Sequence, residues 1–144
     1  MKKTRFTALD SYEMDLCGQQ IAQYIIPPSV VYLSGKLGAG KTTLVKGMLQ
    51  YFDYPEVVSS PSYNLIHQYP TKQCDIAHLD LYRLEDPEEV VMLGLTDLLS
   101  NNSILFVEWP EKGQGFLPEP NIVIDIHYQA TPKTGRVIKL KFLH

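Results

Sequence analysis

Residues 30–44 read Val-Val-Tyr-Leu-Ser-Gly-Lys-Leu-Gly-Ala-Gly-Lys-Thr-Thr-Leu: an apolar run, a glycine-rich loop, then the start of a helix. Gly35 to Thr42 matches the phosphate-loop pattern G-x-x-x-x-G-K-[ST] at each fixed position. With average residue usage, such a match arises by accident about once in 200 chains of this kind. Its setting narrows the reading further. Val30–Ser34 is a β-branched and aromatic strand, and Thr43–Phe52 places Leu44, Met48 and Leu49 on one side of a helix. The plain alternative is a flexible glycine loop between two core elements. Strand, loop and helix together favour a nucleoside triphosphate, gripped by Gly35, Lys36, Leu37, Gly38, Ala39, Gly40, Lys41, Thr42 and Thr43. In such a loop the backbone N–H groups and the positive end of the following helix face the phosphates. Lys41 then reaches the β- and γ-phosphates, and the Thr42 hydroxyl sits on Mg²⁺.

The rest of the composition bounds the class. A chain of 144 residues, 44% hydrophobic and 20% charged, is one globular domain spanning 1–144 with a single sizeable core. A net charge of −3 supplies no basic field to hold DNA or RNA through phosphates. Cys17 and Cys74 stand far apart with no C-x-x-C pair, which excludes a disulfide framework and a structural zinc site. They read as reduced, partly buried thiols of a cytoplasmic protein. No apolar core follows Lys2 and Lys3, and no stretch approaches membrane-spanning length.

Along the chain, Thr4–Leu9 reads as a short strand or edge segment, followed by an Asp10…Glu13 capping box and helical spacing through Tyr24. Pro27-Pro28 ends that helix. Asn64–Tyr69 and Asp75–Leu81 read as a hairpin. Asp86-Pro87-Glu88-Glu89 is a helix start, the helix covering Val90–Leu93 and stopping near Gly94. Ser103–Val107 is an apolar strand, and Ile122–Tyr128 and Arg136–Phe142 alternate as a closing hairpin. The order of elements predicts an α/β fold: a P-loop NTPase-like domain whose central mixed sheet carries antiparallel additions and is flanked by helices. Strand order stays open.

A triphosphatase needs an acid at the tip of a buried strand beside the nucleotide. Ile104–Val107 followed by Glu108 is the cleaner candidate, and Asp75–Leu79 followed by Asp80 the second. Glu108 is assigned to the Mg²⁺ shell, directly or through water, and Asp80 to the attacking or metal-bound water, with the reverse left open. Ser60 and Ser62 flank Pro61 and offer hydroxyls as a switch segment does, although Ser-Pro-Ser is also ordinary turn chemistry. The rigid Trp109-Pro110 pair after Glu108 is placed to hold that carboxylate. His67 and His78, lacking a second ligand at suitable spacing, read as structural. Arg83 pairs with carboxylates or faces a phosphate.

These blocks resemble the bacterial TsaE (YjeE) family, ATPases of tRNA threonylcarbamoyladenosine biosynthesis. Gly35–Leu44 is similar to the family's phosphate loop, Val58–Leu65 to its Ser-Pro-Thr block, His78–Leu84 to its His-Phe-Asp-Leu-Tyr-Arg-Leu block and Val107–Gly113 to its Val-Glu-Trp-Pro block. The resemblance implies ATP or ADP bound with Mg²⁺, and a partnership with the TsaB–TsaD heterodimer, through which alone tRNA is met. It implies that Lys41 and Thr42 hold phosphate and metal, that Asp80 and Glu108 serve hydrolysis and Mg²⁺, and that Trp109 matters for activity. It also brings Thr7, Ser11 and Arg136 near the adenine. Lys36 stands where the family has Asp, and Ser62 where it has Thr. Two other readings compete. A small-molecule kinase would close an arginine-bearing lid, whereas the Glu111–Pro120 loop holds Lys112 and no arginine. A nucleotide-gated assembly factor without turnover would not need Asp80 and Glu108.

Overall fold

The computed structural model describes residues 3–54, 65–129 and 135–143. In chain order it places β1 (Arg5–Ala8), α1 (Ser11–Ala22), β2 (Ser29–Ser34), α2 (Lys41–Tyr51), β3 (Ile66–Pro70) and β4 (Asp75–Asp80). A 3-10 segment (Pro87–Leu93), the short α3 (Leu95–Leu98), β5 (Ser103–Glu108), a 3-10 turn (Pro110–Gly113), β6 (Ile122–Tyr128) and β7 (Arg136–Phe142) follow. The described strands form one seven-stranded sheet in the order β1-β7-β6-β2-β5-β4-β3. β6, β2, β5 and β4 run parallel, and each flank is antiparallel: β3 on β4, β7 on β6 and β1 on β7. The expected mixed sheet with antiparallel additions is therefore the observed one, and so are both hairpins. The connection of the second includes residues 130–134, outside the described set.

The parallel centre is covered on both faces, which is why β5 is buried along its whole length and reads as a continuous apolar run. Residue parity divides the core. Val31, Leu33, Ile104, Phe106 and Ile124 face Met14 and Ile21 of α1 and Leu44 and Met48 of α2. The alternate positions, Val30, Ala77, Leu79, Leu105 and Val107, face Val90 and Leu95.

The N-terminus of α1 forms as its sequence dictates: the Asp10 carboxylate accepts from Glu13 N at 2.8 Å. Glu13 Oε1 accepts from Leu9 N at 2.8 Å, one residue earlier than a standard capping box. The segment after Asp86 departs from the expected α-helix. It is capped by Asp86 and ended by left-handed Gly94 (φ 66°), but it winds as a 3-10 helix. Val90 is its buried residue while Val91 and Met92 are exposed, so no apolar stripe of helical period holds it in α geometry.

Candidate nucleotide site

The loop between β2 and α2 has the backbone its glycines permit. Gly38 (φ 80°) and Gly40 (φ 107°) are left-handed, and Ala39 N donates to Lys36 O at 3.0 Å, closing the turn. Lys41, the first residue of α2, folds back over the loop. Its Nζ donates to Gly35 O at 2.6 Å and to Lys36 O at 3.1 Å, and lies 4.3 Å from the centre of the Trp109 ring. Burial pushes the Lys41 pKa below its ordinary value, against the opposing pull of the Glu108, Asp80 and Glu111 carboxylates.

The acids arrive from the neighbouring strands. Asp80 and Glu108 are the last residues of β4 and β5 and stand opposite each other in the parallel register. Glu108 is 3% exposed, and its Oε2 accepts from the Thr42 hydroxyl at 3.3 Å. Asp80 is half-buried and its Oδ1 accepts from Tyr82 N at 3.1 Å. A cavity of about 300 Å³ collects Gly40, Lys41, Thr42, Asp80, Glu108 and Trp109 on its walls. Tyr82 also lines it, 5.1 Å from Trp109 ring to ring. Arg83 does not line it and is exposed. A hydroxyl beside a carboxylate is a hard oxygen set that fits Mg²⁺, which takes few protein ligands and fills its shell with phosphate oxygens and water.

A second cavity, of about 590 Å³, shares Gly38, Gly40 and Thr43 with the first and continues past Leu9, Ser11 and Met14 to Arg136. Arg136 Nε donates to Ala39 O at 3.1 Å, and its guanidinium lies 4.0 Å from the Tyr128 ring centre. Ser11 and Arg136 are thus brought together beside the loop. Thr7 is not. It pairs with Val137 inside the β1–β7 ladder, and Leu9 and Asp10, where the chain turns into α1, meet the cavity instead. Lys36 is exposed and offers its carbonyl to Lys41, whereas Leu37 lines the smaller cavity. Ser60 and Ser62 lie outside the described residues.

His78, read from the sequence as structural, is fully buried, and its Nε2 bonds Glu108 Oε2, the same oxygen that accepts from Thr42. His78 and Asp80, two apart on one strand, share a face of the sheet. His67, by contrast, contacts the Tyr69 hydroxyl at 3.3 Å within the β3–β4 hairpin. Both cysteines are free and buried. No described helix is long and apolar enough to cross a membrane.

Comparison with known proteins follows the same lines. The family model described as "Threonylcarbamoyl adenosine biosynthesis protein TsaE" matches residues 9–138. The chain is 44% identical over 124 residues to the tRNA threonylcarbamoyladenosine biosynthesis protein TsaE of Haemophilus influenzae, covering 83% of this chain and 78% of that protein. The protein of the same name from Bacillus subtilis is 31% identical over 126 residues, covering 88% of this chain and 78% of that one. The crystal structure of Bacillus subtilis YdiB superposes with a TM-score of 0.80 at 24% identity, over 99% of this chain and 87% of that one, and shares the fold. With a family model matched across nearly its whole length, the chain belongs to the TsaE family.

Proposed function

We propose that this chain is a Mg²⁺-dependent ATPase that supports threonylcarbamoyladenosine formation in tRNA, working in the cytoplasm with the TsaB–TsaD heterodimer. The observation that carries the reading is the 3.3 Å bond from Thr42 to Glu108 across the loop headed by Lys41. A phosphate-loop hydroxyl joined to a strand-tip carboxylate is what a triphosphatase uses to seat its metal. The names of the relatives supply the pathway.

In this reading the loop amides and Lys41 hold the β- and γ-phosphates, Lys41 giving up its bonds to Gly35 O and Lys36 O. Thr42 and Glu108 hold the metal, which when bound neutralises phosphate charge. Asp80, beside Glu108 and in the same cavity, orients the attacking water and takes its proton as the bond to the ADP oxygen breaks. The nucleoside lies in the larger cavity against Met14 and Arg136. The chain's net charge of −3 suits a protein that reaches tRNA only through partners. Arg136 lines the larger cavity and is turned toward Ala39 and Tyr128, and in this reading the groups that complete the phosphate site come from the partner. An arginine supplied in trans raises such rates about 10³–10⁵-fold.

The test is ATP hydrolysis by the chain alone and with TsaB–TsaD, beside Glu108→Ala. Slow basal turnover, stimulation by the heterodimer, and loss of turnover with nucleotide binding retained in the variant are expected. Equal rates with and without the heterodimer would refute partner activation, and unchanged turnover in the variant would refute the role given to Glu108.

A further inference from the structure

His78 lies at 0% exposure in β4, in a layer whose neighbours Ile76 and Phe106 are apolar. An imidazole there is costly unless its nitrogens are paired. One is: Nε2 meets Glu108 Oε2. The other, Nδ1, is buried with no hydrogen-bond partner among the described residues. A buried N–H without an acceptor costs more than a bare ring lone pair, so the arrangement selects the tautomer with its proton on Nε2, donating to the carboxylate. An aliphatic residue would fill this layer without leaving an unpaired nitrogen. The single bond to Glu108 is therefore what the histidine supplies.

That bond falls on the oxygen shared with Thr42. Glutamate has a long side chain with considerable rotamer freedom to lose. A donor fixed in the β4 layer removes that freedom before any ligand arrives, on the strand adjacent to β5 and two register positions from the Asp80–Glu108 pair.

We propose that His78 is a positioning residue: it holds Glu108 against Thr42 and so sets how tightly the site takes up Mg²⁺ with nucleotide, while leaving metal-free nucleotide binding unaffected. This rests on the metal reading of Thr42 and Glu108 given above. Partners that orient a ligating group typically change metal affinity 10–100-fold when removed. His78→Leu keeps bulk and removes the donor, whereas His78→Gln places an amide N–H where Nε2 now sits.

The experiment titrates a fluorescent ATP analogue against the full chain, first in EDTA and then at increasing Mg²⁺. For His78→Leu we expect unchanged affinity in EDTA and a roughly 10-fold higher Mg²⁺ requirement, with His78→Gln returning close to the unsubstituted protein. An unchanged Mg²⁺ requirement in His78→Leu, or equal loss with and without Mg²⁺, overturns the positioning role. Nucleotide binding by the unsubstituted protein that is indifferent to Mg²⁺ overturns the metal reading, and this inference with it. The unsubstituted protein also provides a check that needs no variant: nitrogen-15 NMR of the histidines should find the His78 proton on Nε2, and finding it on Nδ1 overturns the proposal.

Discussion

Gly18 of α1 and Gly47 of α2 face each other where the two helices cross. A Cβ on Gly18 would strike Leu44 O and come within 3.0 Å of Gly47 Cα, and one on Gly47 would strike Asp15 O. The obstacle is main chain in both cases, so no side chain can swing aside. This close approach ties α1, whose first turn lines the larger cavity, to the helix that begins at Lys41. Alanine favours a helix over glycine by about 1 kcal/mol, yet overpacking of this kind costs about 1–3 kcal/mol and more against backbone. Gly47→Ala should therefore lower stability, with the melting temperature falling by roughly 4 °C per kcal/mol in a domain of this size. Differential scanning calorimetry checks the sign; an unchanged or raised melting temperature would show that the helices can part freely.

Lys41 predicts a pH effect on nucleotide binding. Burial lowers its pKa from 10.5, so its charge is lost earlier on the alkaline side than for an exposed lysine. Phosphates favour the charged form, so nucleotide affinity should be greatest where Lys41 is protonated and should fall as pH rises through the lowered value. Binding in that range should take up a proton. Calorimetry in buffers of different ionisation enthalpy measures the uptake, and Lys41→Ala should bind weakly with neither the uptake nor the alkaline decline.

Asp80 and Glu108 should separate in their kinetics. Asp80→Asn keeps the shape and the acceptor for Tyr82 N but removes the base. Turnover should drop about 10²–10⁴-fold, the usual worth of a positioned proton acceptor, with KM for ATP little changed. A steady-state comparison in which KM alone moves would transfer the role to Glu108.

Arg136 braces the loop from β7 through Ala39 O while stacking on Tyr128. Arg136→Ala removes a charged hydrogen bond and a cation–π contact, together worth about 1–3 kcal/mol. Affinity for ATP and ADP should fall by at least about 5-fold, the diphosphate included, because the brace acts on the loop and the nucleoside cavity. Fluorescence titration with both nucleotides measures this.

Much of this was legible in residue order, and the exceptions share a cause. The loop from Gly35 to Thr42, the strand tips at Asp80 and Glu108, the Asp10 cap and the two hairpins each depend on residues close in sequence, where spacing and turn chemistry speak directly. The contact of His78 with Glu108 depends on the β4–β5 register, which sets His78 opposite Phe106 and two positions from Glu108, 30 residues away. Alternation within one strand carries no information on that register. The helix expected over Val90–Leu93 forms between its Asp86 cap and Gly94 stop, but as a 3-10 helix: four apolar residues in a row satisfy any period, and the burial of Val90 decided the geometry. Thr7 sits in the β1–β7 ladder opposite Val137 and is not among the residues lining the larger cavity.

β2 is the fourth of the seven described strands, with three on either side. Amide hydrogen exchange proceeds from frayed margins inward, and the centre of a sheet opens last. The strand that feeds the Gly35–Thr42 loop is therefore insulated from fluctuations at β1 and β3, and those borders can breathe or be remodelled by a binding protein while the anchor of the loop stays shut.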